Sequence, residues 1–257
     1  MGAGTMTELK LWARVFSLLL FVFLPLQWAS AQGSRCADCH LANPDAPGHL
    51  YAWERSAHGQ NNVGCEACHG GDATTFESFA AHRGILNSGN PSSPVNRKNI
   101  PRTCGTCHSG PFVAFQSSQM FALLQAGNQD VPVCTTCHSS VAAQLLSPRA
   151  LEARCQKCHA ADKPGSHPEF PAQGRRMLET IQEVRGLLRQ AQPQIRRIRD
   201  AELRQRFEEQ YRQAEVPIIE ALNFGHAFRY EASEERRAVS RQRAEALLDQ
   251  LANAVRR

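Results

Sequence analysis

The sequence predicts a mainly α-helical chain with extensive coil: a unit of short helical turns, followed by a C-terminal helical hairpin or bundle. Three observations predict it. The pattern Cys-x-x-Cys-His occurs five times between Cys36 and His159 and uses all ten cysteines. The segment around these motifs is rich in Gly, Pro, Asn and Ser, as in Asn87-Ser88-Gly89-Asn90-Pro91-Ser92-Ser93-Pro94, which reads as loop. From Pro171 onward there is no cysteine and no lysine, but there are seventeen arginines, many glutamates and apolar residues at helical spacing.

Residues 1–31 read as a secretory signal peptide. A basic section with Lys10 and Arg14 precedes the apolar run Val15 to Leu24, then Pro25 and the small-x-small site Ala29-Ser30-Ala31, where cleavage is expected. The run falls short of the about 20 residues a spanning helix needs, and Pro25 interrupts it. No permanent membrane span is therefore expected after cleavage. The expected location is periplasmic or otherwise extracytoplasmic.

Residues 32–170 hold the five motifs: Cys36, Cys39 and His40; Cys65, Cys68 and His69; Cys104, Cys107 and His108; Cys134, Cys137 and His138; Cys155, Cys158 and His159. Two thiols three positions apart can each add across a vinyl group of one haem, and the adjoining imidazole then reaches the iron; this is c-type attachment. Structural zinc takes four ligands, so pairing motifs two to a metal strands the fifth. A thioredoxin-like centre needs a βαβ context that the sequence does not show. A disulfide framework explains paired cysteines but not the histidine after every pair, a coincidence of roughly 10⁻⁷ under independent placement. The expectation is five covalently bound haem c groups, with their iron.

At about 28 residues per haem, the macrocycles supply much of the apolar interior of this haem-packed unit, and little regular secondary structure is required. Short helical turns are expected to carry each motif. Motif starts lie 29, 39, 30 and 21 residues apart, too irregular for a solenoid. The formal charge of +5 is offset by haem propionates and does not point to nucleic acid. The stacking platforms of single-strand binders are absent from the sequence as well.

In residues 171–257, Met177, Ile181, Val184, Leu188 and Ala191 share one helical face, with a kink or break expected at Pro193. Ile195, Ile198, Leu203, Phe207 and Tyr211 continue a second face until Pro217. Ile219, Leu222, His226 and Tyr230 form a third, and Val239, Leu247, Leu248, Leu251 and Val255 a last. Such helices either cover the haem unit with one face, leaving Arg and Glu in water, or serve as a homo-oligomer or partner contact.

Five histidines lie outside the motifs: His49, His58, His82, His167 and His226. Each is either a satisfied surface or core histidine or a second axial ligand, and their number equals that of the motifs. Met120 and Met177 both sit among apolar neighbours and read as core. Bis-histidine ligation generally gives a lower potential than His/Met.

The run Ser56-Ala57-His58-Gly59 to Cys65-Glu66-Ala67-Cys68-His69-Gly70-Gly71 resembles multihaem c-type cytochromes of the tetrahaem cytochrome c, pentahaem nitrite reductase and octahaem hydroxylamine oxidoreductase group. The resemblance implies distal ligand roles for His58 and His82 and closely packed haems that conduct electrons through the protein. Asn223-Phe224-Gly225-His226-Ala227 is similar to the C-terminal helices of that group's enzymes. The chain departs from the pentahaem nitrite reductases in having no Cys-x-x-Cys-Lys motif.

No set of His, Arg and Tyr side chains marks an open iron, and Tyr51, Tyr211 and Tyr230 are the only tyrosines. Saturated low-spin iron serves electron transfer, whereas catalysis needs a vacant position. The expected function is transfer of electrons between a quinol-linked or other donor and a terminal reductase or surface acceptor. A reductase of a small nitrogen or sulfur oxyanion with one open iron is the first alternative. A structural subunit of a haem-bearing complex or filament is the second.

Overall fold

The computed structural model describes residues 34–43, 48–141, 144–162 and 167–255, so the expected signal segment 1–31 lies outside the described residues. Among these there is no β-strand, and no helix is long and apolar enough to cross a membrane.

The motif-bearing part is a series of short helices: α1 (Arg35–Leu41), α2 (Gly48–Glu54), α3 (Ala57–Gln60), α4 (Glu66–His69), α5 (Ser78–Ala81), α6 (Ile100–Gly105), α7 (Ser109–Gln116), α8 (Gln119–Gln125), α9 (Cys134–His138) and α10 (Pro148–Gln156). Serines cap three of them. Ser56, Ser118 and Ser147 accept from the amides of Gly59, Phe121 and Ala150, three positions on. The loop between α5 and α6 is held by its own side chains. Asn87 accepts from the amides of Gly89 and Asn90, buried Ser93 donates to the Leu86 carbonyl, and Asn99 donates to the carbonyls of Pro91 and Ser93. A small apolar core of Phe115, Leu124, Val131 and Val133 lies beneath α7 and α8, with Met120 and Phe228 packed against it.

The tail consists of three long helices: α11 (Phe170–Arg197), α12 (Ala201–His226) and α13 (Tyr230–Val255). One end of their core joins Ile181, Val184 and Leu188 to Ala214, Ile218, Ala221 and Ala244; the other joins Ala191 and Ile195 to Phe207, Leu247 and Leu251. Numbering rises along α11 and α13 but falls along α12 between these ends, so α12 runs antiparallel to both, as in an up-down-up bundle.

Of the kink or break expected at Pro193 no break occurs, nor does a helix end at Pro217; both prolines lie inside helices, and the four expected faces belong to three elements. Tertiary packing overrides the local signal. Ala191 and Ile195 flank Pro193 and are buried, so α11 continues for the core it fills. At Pro217 the carbonyl of Gln213 loses its amide donor four residues on, and the Arg243 guanidinium of α13 donates to it instead at 2.8 Å. A polar seam accompanies this contact. Buried Ser233 and Ser240 donate to the carbonyls of Ala221 and Ala214, and buried Arg237 donates to the Arg176 carbonyl at 3.1 Å.

Candidate functional site

Each motif occupies a helical turn. The amides of Cys68 and His69 donate to the Cys65 carbonyl at 3.1 and 2.9 Å, those of Cys107 and His108 to Cys104 at 3.3 and 2.9 Å, and those of Cys158 and His159 to Cys155 at 3.1 and 2.9 Å. The first motif lies within α1, and the fourth is α9 itself. A turn of this kind puts the two cysteines on one side as neighbours, with the imidazole directly after them. None of the ten cysteines is paired in a disulfide.

The motif histidines are not isolated. His40 faces His82 with ring centroids 5.9 Å apart, His108 faces His58 at 5.9 Å, His138 faces His226 at 6.2 Å, and His159 faces His167 at 6.3 Å. His69 lies within electrostatic reach of His49. Four motif histidines thus each face a different one of the five histidines outside the motifs. An imidazole nitrogen bonds a first-row metal at roughly 2 Å and lies about 1.1 Å from its ring centroid, so two rings on opposite sides of one metal have centroids about 6 Å apart. The four ring pairs fit that span. Among the described residues no three or more His, Cys, Asp or Glu side chains gather into one metal cluster.

Three partner histidines have Nδ1 already engaged. That of His82 meets the Ser78 carbonyl at 2.7 Å, that of His226 the Leu222 carbonyl at 2.7 Å, and that of His167 the Glu169 carboxylate at 3.1 Å. An Nδ1–H held in this way leaves Nε2 as the lone-pair nitrogen that binds a metal. His159 is arranged differently, because its Nδ1 accepts from the His167 amide at 3.3 Å, and ligation through Nε2 requires that contact to open. Burial lowers the pKa of His69, His138, His159 and His226, and the neighbouring histidine lowers it further in the first three. A lowered pKa keeps the imidazole neutral, which is the ligating form.

The backbone delivers these rings through tight approaches. After α4 the chain reverses at Gly71, whose φ is +88°, and a Cβ there would lie 2.6 Å from the Ala81 carbonyl. The reversal lets the Asp72 amide bond to that carbonyl, next to His82. In the bundle, a Cβ on Gly225 would lie 2.6 Å from the Met177 sulfur, so glycine permits close packing of α12 on α11 beside His226. Met177 and Met120 are partly buried and pack against the apolar core clusters.

Several neighbours gave no sequence signal. Phe170 stacks on His167 at 4.5 Å and 10°, and Tyr230 meets Phe170 edge-on at 5.4 Å. Burial raises the Tyr230 phenol pKa, and Cys155 and Cys137 lie within its electrostatic reach. Glu66, inside the second motif, accepts from Ser34 at 3.3 Å and lies 3.9 Å from the Cys36 sulfur. Its place between two cysteines of the second motif is visible in sequence, whereas its contact with the first motif is not.

Two families match parts of the chain. One, described as cytochrome c7 and related cytochrome c, matches residues 90–160; the other, described as cytochrome c554 and c-prime, matches residues 25–70. The C-type polyheme cytochrome OmcC of Geobacter sulfurreducens is 29% identical over 123 residues, covering 43% of this chain. The chain spans only 15% of that relative's length. No solved structure matches. These likenesses support a multihaem c-type cytochrome with covalently bound haem c.

Proposed function

We propose that this multihaem c-type cytochrome is an exported pentahaem electron carrier whose five irons are each held between two histidines. The pairs are His40 with His82, His69 with His49, His108 with His58, His138 with His226, and His159 with His167. Cys36, Cys39, Cys65, Cys68, Cys104, Cys107, Cys134, Cys137, Cys155 and Cys158 hold the porphyrins. The observation that carries this reading is that four motif histidines each face a different histidine outside the motifs at 5.9 to 6.3 Å, which leaves His49 for His69.

Haem c, when bound, supplies one-electron exchange between ferric and ferrous iron. The chain's part would be to offer each haem iron two histidines. Two neutral imidazoles would favour low-spin iron, exclude small ligands and leave little reorganisation to oppose electron transfer. The carbonyls of Ser78 and Leu222 and the Glu169 carboxylate orient His82, His226 and His167. Residues 32–170 are the haem-bearing domain in this reading. Residues 171–257 are a helical region that also places His226 opposite His138. Electrons pass between a quinol-linked or other donor and a reductase or surface acceptor outside the cytoplasm.

A spectropotentiometric titration of the mature protein tests this. Five one-electron centres at low potential, with no turnover of nitrite, hydroxylamine or sulfite by the reduced protein, are expected. Steady turnover of any of these would favour a reductase with an open iron.

A further inference from the structure

The two ends of the bundle differ in what their charges meet. Contacts that join the bundle to the motif-bearing part lie at one end: Arg175 pairs with Glu152 at 3.1 Å, His226 faces His138, and Phe228 meets Phe115 at 6.3 Å. Toward this end the arginines are mostly neutralised, Arg175 also by Glu179, Arg236 by Glu220, Arg237 by Glu234 and Arg241 by Glu183. The opposite end is the turn from α11 to α12, about 40 Å away along the 28 residues of α11. Five arginines fall there within the eleven residues from Arg196 to Arg206. Arg204 pairs with Glu208 at 3.8 Å, whereas Arg196, Arg197, Arg199 and Arg206 are exposed and form no ion pair among the described residues. Of the two acids in this stretch, Asp200 is engaged with the Leu203 amide at 2.7 Å as the cap of α12, which leaves Glu202. The C-terminal dipole of α11 accounts for Arg196 and Arg197 in its last turn. It does not account for Arg199, outside both helices, or for Arg206, in the second turn of α12.

We infer that this turn is a tether to an anionic phospholipid surface, which holds the chain to a membrane by the end of the bundle farthest from the motifs. Two observations choose this occupant over an acidic protein. A stable protein interface takes about 800 Å² from each partner around an apolar centre. The apolar residues of the turn, Ile198 and Leu203, pack inward on the bundle core, so the tip offers charge without such a centre. A bilayer surface requires none, because each arginine gains separately from the lipid phosphates, which the planar guanidinium fork suits. The tip also lies a bundle's length from the motif contacts, so a redox protein bound there would be too far away for direct electron exchange. The inference stands whether or not the histidines pair as proposed above.

Vesicle flotation of the mature holoprotein tests this. The protein should float with mixed phosphatidylglycerol and phosphatidylcholine vesicles but not with phosphatidylcholine alone, and added salt should weaken the binding. Replacing Arg196, Arg197, Arg199 and Arg206 together by Gln should lower the partition at least about a hundredfold, at roughly fivefold per arginine. Arg197→Gln and Arg199→Gln alone should each lower it about fivefold, which keeps the test open if the fourfold variant folds poorly. Replacing Arg175, Arg212, Arg236 and Arg241 by Gln changes the net charge equally and should lower the partition less than about tenfold, because these side chains are already paired. Equal losses in the two fourfold variants, or no binding by the unmodified protein beyond that to phosphatidylcholine, would overturn the tether. Capture on polyglutamate-coated beads without binding to the anionic vesicles would overturn it in favour of an acidic protein partner.

Discussion

His226→Ala removes the one imidazole that the C-terminal bundle delivers to a motif histidine. His226 lies 6.2 Å from His138, and its Nδ1 meets the Leu222 carbonyl at 2.7 Å at the end of α12. Loss of that hydrogen bond costs about 0.5–1.5 kcal/mol. In a chain of this size 1 kcal/mol moves Tm by about 2–4 °C, so the bundle survives with a shift of a few degrees beyond the loss of the axial bond. The spectroscopic effect is discrete. One iron in five becomes high-spin and ligand-accessible, so carbon monoxide should bind about one fifth of the total haem of the reduced variant, with haem content per chain unchanged. Carbon monoxide titration against total haem, with electron paramagnetic resonance of the oxidised form, measures both. No adduct and an unchanged low-spin spectrum would refute the pairing of His226 with His138.

Other variants separate packing from ligation. Ile181→Ala, in a fully buried position between α12 and α13, should destabilise by about 2–5 kcal/mol and lower Tm by several degrees while every iron stays low-spin. Gly71→Val forces a β-branched residue into left-handed backbone against the Ala81 carbonyl, at a cost of about 1–3 kcal/mol. It should loosen His82 and produce a partial high-spin signal that Gly225→Ala does not reproduce at the same site. Arg243→Ala should cost about 0.5–1.5 kcal/mol by leaving the Gln213 carbonyl without its donor, and close to nothing when combined with Pro217→Ala, which restores the helical amide. A thermal double-mutant cycle reads that coupling, and additive effects would contradict the compensation argued at Pro217.

The motifs were legible because c-type attachment is a local chemical pattern: Cys65, Cys68 and His69 need only one helical turn to stand together. The bundle was legible from the period of Ile181, Val184 and Leu188, which are buried on one face. Its boundaries were not, because Pro193 and Pro217 signal breaks that packing and the Arg243 side chain override. The partner histidines could be counted in sequence but not assigned. His58 precedes the second motif yet faces the third, and His82 follows the second yet faces the first. Such crossings depend on long-range folding, set here by the reversal at Gly71 and by α3, and no spacing rule encodes them. Phe170, stacked on His167, was hidden for the same reason.

The ligation state of the wild-type irons is the most direct test of the histidine pairing. Low-temperature electron paramagnetic resonance of the oxidised holoprotein, followed by carbon monoxide addition to the reduced form, should show only low-spin signals and no adduct. A high-spin signal accompanied by a carbon monoxide adduct in the unmodified protein would contradict five histidine-paired centres and identify an iron open to substrate.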